Sequence, residues 1–137
     1  MSQLPPLLAD RPPAVRFVLT YVAPALVGFV AGAMLGVGVA AWAIANVIAT
    51  LGGFGAGLEH DDLGGAARRG AIGGLLFGLS VVLADALVVT DRAATIADPA
   101  ILQAVVTTVA GTLLALAGCA LRGRLVRRAA VAAVVEP

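Results

Sequence analysis

Asp85 is the residue with the clearest capacity for chemistry, because it is a carboxylate within a long apolar segment. An ionised side chain at the centre of a bilayer costs about 2.5–3.5 kcal/mol on insertion scales, so it is normally paired, protonated or in contact with water. Asn46, Gln103 and Thr107 lie at a similar depth to Asp85 when residues are counted inward from the same outer membrane surface. The sequence therefore predicts a polar intramembrane site of these four residues, which could hold a proton or a cation.

Two structural roles compete with this interpretation of Asp85. The four polar side chains could form hydrogen bonds between helices, which contribute about 0.6 kcal/mol each. Asp85 could instead form an ion pair with Arg92, which follows seven residues later on nearly the same helix face. The sequence leaves all three roles open.

A second cluster of chemical groups is the segment 59–62, which reads Glu-His-Asp-Asp. Histidine and carboxylates are ligands of transition metals. Four consecutive side chains cannot all converge on one ion, however, and the chain has no second histidine. We therefore predict no metal site and no cofactor. Asp61 and Asp62 suit the N-terminus of the following helix, where they would cap it and offset Arg68 and Arg69.

The glycine-rich stretches 52–57 and 64–65 resemble phosphate-binding loops only in composition. The chain contains no lysine and no GxxxxGK[ST] pattern, and no strand is expected before either stretch. No Ser-His-Asp arrangement, paired acidic residues or cysteine-based motif is present either. The sequence therefore predicts a protein that is not an enzyme and does not bind nucleic acid.

The segment that must position these groups is the run from Phe17 to Leu58, which contains no Asp, Glu, Lys, Arg or His. As one helix it would reach about 63 Å, roughly twice the 30 Å thickness of the hydrocarbon core. It must therefore fold back, and 36–38 (Gly-Val-Gly) is the natural turn. With 61% hydrophobic and 12% charged residues, the whole chain has the composition of a membrane protein.

The predicted fold is all-α and integral to the membrane, with four transmembrane helices arranged as two hairpins in a glycine-packed bundle. The helices are expected at about 15–35, 39–57, 68–90 and 100–121. A mobile Pro-rich tail at 1–14 precedes them, and a basic cytoplasmic tail at 122–137 follows. A secretory signal is a competing interpretation of the first helix. Duplication of one hairpin is another open possibility, because glycines 28, 32 and 36 align with glycines 70, 74 and 78.

Small residues recur every four positions on each predicted helix. Residues at this spacing share one helix face, and glycine there lets a second backbone approach closely. Such close packing drives association in lipid, where the hydrophobic effect does not. The glycines predicted to pack in this way are Gly28, Gly32, Gly36, Gly53, Gly57, Gly70, Gly74, Gly78 and Gly111.

The basic residues predict the orientation of the chain. With four spans, both termini and the 59–69 loop share one side, and that side holds every arginine except Arg92. Short arginine-rich segments stay cytoplasmic, so we expect both termini in the cytoplasm and the protein in the bacterial inner membrane. The arginines expected to anchor this side to lipid head groups are Arg16, Arg68, Arg69, Arg122, Arg124, Arg127 and Arg128.

These features predict a small structural or accessory membrane subunit. Its expected partners are the lipid bilayer and either a second copy of itself, in a homo-oligomer, or a larger membrane complex. The first alternative is a small homo-oligomeric channel or transporter with its polar site around Asp85. The second is a holin-like pore former, suggested by the short chain and the basic C-terminal segment.

Overall fold

A computed structural model describes residues 4–135, with side chains through residue 133. All regular structure in this part of the chain is helical. A 3-10 turn at Leu8–Asp10 precedes four long helices. These helices are α1 at Pro13–Gly36, α2 at Val39–Gly57, α3 at Leu63–Val88 and α4 at Ile101–Val135. In the described residues, all four are long and apolar enough to span a membrane, as the sequence predicts.

Helix α1 is irregular around Pro24. An α-helical turn at Pro13–Phe17 is followed by a π-helical turn at Val18–Val22 and then by a second α-helical segment at Ala23–Ala33. Proline has no N–H to donate to the helix. The carbonyls one turn earlier therefore lose a backbone donor, and the wider π turn is a common accommodation of such a defect.

The turn between α1 and α2 lies at Val37 and Gly38, where the sequence predicts it. Gly38 has φ 157° and ψ 160°, in a region of backbone space that is essentially confined to glycine. In the loop between α2 and α3, Asp62 caps α3 as predicted, because its Oδ1 accepts a hydrogen bond of 2.6 Å from the backbone N–H of Gly65.

Helix α3 is the centre of the bundle. It packs along α4 and along α1, whereas α2 rests mainly on α4. The larger core cluster joins α1 and α3 through Ala31, Leu35, Phe77 and Val81, and the connection after α3 covers its end. A smaller cluster near the start of α3 consists of Ala66, Ala115 and Cys119.

The glycines of α3 lie directly against neighbouring backbones. A Cβ atom at Gly70 would overlap the carbonyl of Gly111, and one at Gly74 would overlap the carbonyl of Thr107. On α1, a Cβ at Gly28 would overlap the backbone of Phe77. The predicted packing glycines at which a Cβ would meet another atom within 3 Å are Gly28, Gly32, Gly57, Gly70, Gly74, Gly78 and Gly111. At Gly36 and Gly53 a Cβ would make only ordinary contacts.

The segments expected to be tails both differ from that expectation. Helix α4 continues through the basic residues to Val135 instead of ending near residue 121. The described part of the N-terminal segment lies on the bundle: the N–H of Leu8 donates to the carbonyl of Glu59 at 2.8 Å, and Arg122 donates to the carbonyl of Pro5 at 2.7 Å. Residues 1–3 and 136–137 lie outside the described part.

Candidate functional site

Asp85 forms an ion pair with Arg92, one of the alternatives that the sequence left open. Its two carboxylate oxygens accept bonds from Nε and Nη2 of Arg92 at 2.7 and 2.5 Å. The Asp85 side chain is buried, whereas that of Arg92 is 57% exposed beyond the end of α3. Hydrogen bonding to Asp85, together with its negative charge, raises the pKa of Arg92 above its ordinary value. The pair joins the end of α3 to the connection before α4.

The other members of the predicted polar site bond within their own helices. Asn46 Nδ2 donates to the carbonyl of Trp42 at 2.9 Å. Thr107 Oγ1 donates to the carbonyl of Gln103 at 2.8 Å, and that bond also lies within α4. Asn46 and Thr107 both line a cavity described below, whereas Asp85 and Gln103 are not among its lining residues. The structure thus brings two of the four residues to one space and places Asp85 in a separate ion pair.

The cavity lies among the four helices and has a volume of about 450 Å³. It is partly open to the surroundings, and small residues dominate the wall that α2 provides. A Cβ atom at Gly52 or Gly55 would meet no described atom within 4 Å. The opposite wall comes from α1, α3 and α4 and includes Phe77 and Leu114. Most of the surface is therefore apolar.

Arg69 gives one end of the cavity a buried cation. This residue is only 9% exposed. Its guanidinium donates to the backbone carbonyls of Leu19 and Thr20, the latter at 3.5 Å. The N–H of residue 24 would donate to the carbonyl of Thr20 in an α-helix and to that of Leu19 in a π-helix. Pro24 has no N–H, so neither bond can form. Arg69 therefore satisfies acceptors in α1 that Pro24 leaves without a donor.

The bonding capacity of Arg69 is only partly used. Its Nε–H is buried and has no acceptor among the described residues. Glu59 lines the same end of the cavity, but its carboxylate pairs with Arg11 at 2.6 Å. In residues 4–133, no carboxylate lies within 4.0 Å of the Arg69 guanidinium. The polar residues that line this end of the cavity therefore include one arginine and one carboxylate, and the carboxylate is bonded to Arg11, which is not itself a lining residue.

The arginines expected to be lipid anchors have two kinds of surroundings. Arg69 is buried, and Arg122 is half-buried and donates to the carbonyl of Leu58 at 2.6 Å, which satisfies the end of α2. The remaining arginines of that set are exposed: Arg16, Arg68, Arg124, Arg127 and Arg128. Arg69 and Arg122 thus hold helices together, which sequence reasoning missed because both lie in arginine-rich stretches.

In the described residues, no group of three or more His, Cys, Asp or Glu side chains is placed to hold a metal ion, and this includes the segment 59–62. His60 Nδ1 lies 3.0 Å from the carbonyl of Ala56, one turn back on α2. Asp62 is engaged as the cap of α3. His60 and Asp62 therefore each have a local structural partner.

Comparison of the chain with protein-family models, with curated proteins and with solved structures gave no match.

Proposed function

We propose that this protein is a non-enzymatic, multi-pass subunit of the bacterial inner membrane with a structural or accessory role. The observation that carries the proposal is the contact of glycines with backbone on both sides of α3. Gly28 of α1 faces the backbone of Phe77, and Gly74 of α3 faces the carbonyl of Thr107. Close backbone approach of this kind is what holds membrane helices together. We therefore interpret α1, α3 and α4 as a rigid glycine-packed unit.

The proposed orientation places both termini in the cytoplasm. The contacts of Arg122 with Leu58 and Pro5 support one shared side for the N-terminal segment, the α2–α3 loop and the region around the basic part of α4. Arginine-rich segments are retained in the cytoplasm. The test is the labelling of single cysteines by a membrane-impermeant reagent in a Cys119→Ser background. Labelling of a cysteine at position 95 in intact spheroplasts, but not of one at position 128, would support this orientation, and the reverse would refute it.

The proposed association partner is a second copy of the chain or a larger membrane complex. Helix α2 is the helix least enclosed by the rest of the bundle. Its apolar residues Ile44, Val47 and Leu51 are each about 60% exposed. Lipid alone can cover such a surface, so the deciding measurement is the native mass in nanodiscs compared with the 13.6 kDa chain. A mass of one chain would exclude the homo-oligomer and direct the search to other subunits.

A channel around Asp85 receives less support than the structural role. Both carboxylate oxygens of Asp85 are bonded to Arg92, which leaves no free carboxylate for a transported proton or cation. Proteoliposomes loaded with a pH-sensitive dye test this directly. We expect no proton or potassium flux above that of protein-free vesicles. A flux that the Asp85→Asn variant abolishes would overturn the structural proposal.

A further inference from the structure

We propose that the cavity beside α2 binds one anionic phospholipid, with an acyl chain along the glycine-rich wall and the phosphate at Arg69. This inference is independent of the structural role proposed above. A protein without that role could still hold a lipid, and the structural subunit could lack one.

The dimensions of the cavity suit a chain-like apolar ligand. Its volume of about 450 Å³ falls within the roughly 300–1,000 Å³ of typical ligand pockets. It extends from Arg69 to Phe77, which lies about 12 Å deeper along α3 at 1.5 Å per residue. Gly52 and Gly55 line it, and a Cβ atom at either would meet no described atom within 4 Å. Space of this kind within a bilayer is filled by acyl chains, because its lining otherwise loses dispersion contacts.

The charges at the polar end favour an anion over a neutral or cationic group. Arg69 is nine-tenths buried, has an unpartnered Nε–H and lacks a carboxylate within 4.0 Å among the described residues. A buried charge is costly unless a counter-charge and hydrogen bonds accompany it. The negative charge of Glu59 acts on Arg69 from more than 4.0 Å away, but its carboxylate is bonded directly to Arg11, so the Arg69 guanidinium has no directly paired counter-charge among the described residues. An arginine suits a phosphate in particular, since the guanidinium fork can donate two bonds to its oxygens.

The depth of Arg69 also fits a phospholipid. The residue lies about 9 Å along the axis from the start of α3 at Leu63, at 1.5 Å per residue. This position is near the boundary between head groups and hydrocarbon, with the apolar part of the cavity on the hydrocarbon side. A phosphate at Arg69 would thus leave the acyl chain in the hydrocarbon layer.

The test is lipid retention, measured by native mass spectrometry of the full-length protein after exchange into phosphatidylglycerol or phosphatidylcholine. High ionic strength screens the general attraction of surface arginines for anionic lipid. Under this condition we expect one retained phosphatidylglycerol per chain, held at least about tenfold more tightly than phosphatidylcholine.

Two pairs of variants locate the binding site. Arg69→Gln should weaken retention of phosphatidylglycerol about tenfold, whereas Arg68→Gln, the same change at an exposed neighbour, should alter it less than about twofold. Gly55→Leu should fill the cavity and displace the acyl chain. Gly123→Leu is its control, because a Cβ there also meets no described atom within 4 Å and Gly123 does not line the cavity.

Several results would overturn the proposal. Equal retention of the two lipids would show that charge does not select the ligand. Equal losses of phosphatidylglycerol in the Arg69 and Arg68 variants would show that Arg69 does not bind the lipid. Full retention of phosphatidylglycerol by Gly55→Leu would show that the lipid does not occupy the cavity. Displacement of the lipid by inorganic phosphate alone would identify a free anion as the ligand. Protection of the cavity by a second chain, with no lipid bound, would identify an oligomer contact.

Discussion

Gly74 on α3 and Gly55 on α2 are the same residue on the apolar faces of two long helices, and they have opposite surroundings. A Cβ at Gly74 would overlap the backbone of Thr107 and Thr108, whereas a Cβ at Gly55 would meet nothing within 4 Å. The first glycine lets α3 and α4 touch, and the second borders open space at the cavity. A glycine-rich membrane helix can therefore be either a packing surface or the wall of a cavity, and only its neighbours decide which.

A large side chain at each of the two positions should have the most different effects on stability. Gly74→Leu should prevent α3 from resting on α4, because backbone on the facing helix cannot move aside as a flexible side chain can. We expect a loss of about 3 kcal/mol or more in the free energy of unfolding, at or above the upper end of overpacking costs. Gly55→Leu should lower it by less than about 1 kcal/mol, because the side chain enters open space.

The measurement is thermal or denaturant unfolding of both variants in one detergent, followed by helical circular dichroism. The leucine side chain is the same in both, so differences in helix propensity largely cancel. Equal losses in the two variants would contradict the distinction between the two regions.

Arg69 bonds α3 to α1 through the backbone carbonyls of Leu19 and Thr20. Arg69→Gln in lipid-free detergent should reduce stability by about 1–3 kcal/mol, because the carbonyls of Leu19 and Thr20 would lose donors. In a Pro24→Ala background the same change should cost at least about 0.5 kcal/mol less, since residue 24 would then supply an N–H to α1. A double-mutant cycle of the two substitutions measures this difference. Additive losses would show that Pro24 does not create the need for Arg69.

The sequence was sufficient for the four spans because long apolar runs leave few alternatives in a bilayer. It was insufficient at the end of α4, because the helix was expected to end at about residue 121, just before the first arginine of the basic stretch. Arginine and alanine are good helix formers, so a change from apolar to basic residues marks the edge of a membrane and not the end of a helix. Helix α4 accordingly runs on to Val135.

The cavity and its arginine could not be predicted for a different reason. Arg69 and its acceptor Leu19 are 50 positions apart in the sequence. The neighbouring residue Arg68 has the same side chain and charge as Arg69 but is exposed. Which of two adjacent arginines faces inward depends on the rotation of α3 about its axis, and that rotation is set by packing at Gly70 and Gly74. Pro24 was a usable signal, because a proline within a helix frees a carbonyl that some other donor must satisfy.

A smaller effect is expected at the opposite end of the bundle. Asp85→Asn should remove the ion pair with Arg92 but cause less destabilisation than Arg69→Gln, because Arg92 is 57% exposed and can be hydrated when its partner is lost. The matched change is Arg92→Gln, which leaves Asp85 buried without its counter-charge and should cost more. Unfolding of the two variants side by side gives the order. A larger loss for Asp85→Asn would indicate a further role for this carboxylate.

The smallest change in stability is expected for Gly55→Ala, which tests whether the space beside Gly55 on α2 is open. Gly55→Ala adds one methyl group to open space and removes the conformational freedom that disfavours glycine in helices. We expect stability to be unchanged or to increase by up to about 1 kcal/mol. Gly74→Ala adds the same methyl group against the backbone of α4 and should destabilise, although alanine is the better helix former. The opposite signs follow from steric contact alone, since propensity favours alanine at both positions. A loss of stability at Gly55 comparable to that at Gly74 would mean that α2 lies closer to its neighbours than the open cavity implies.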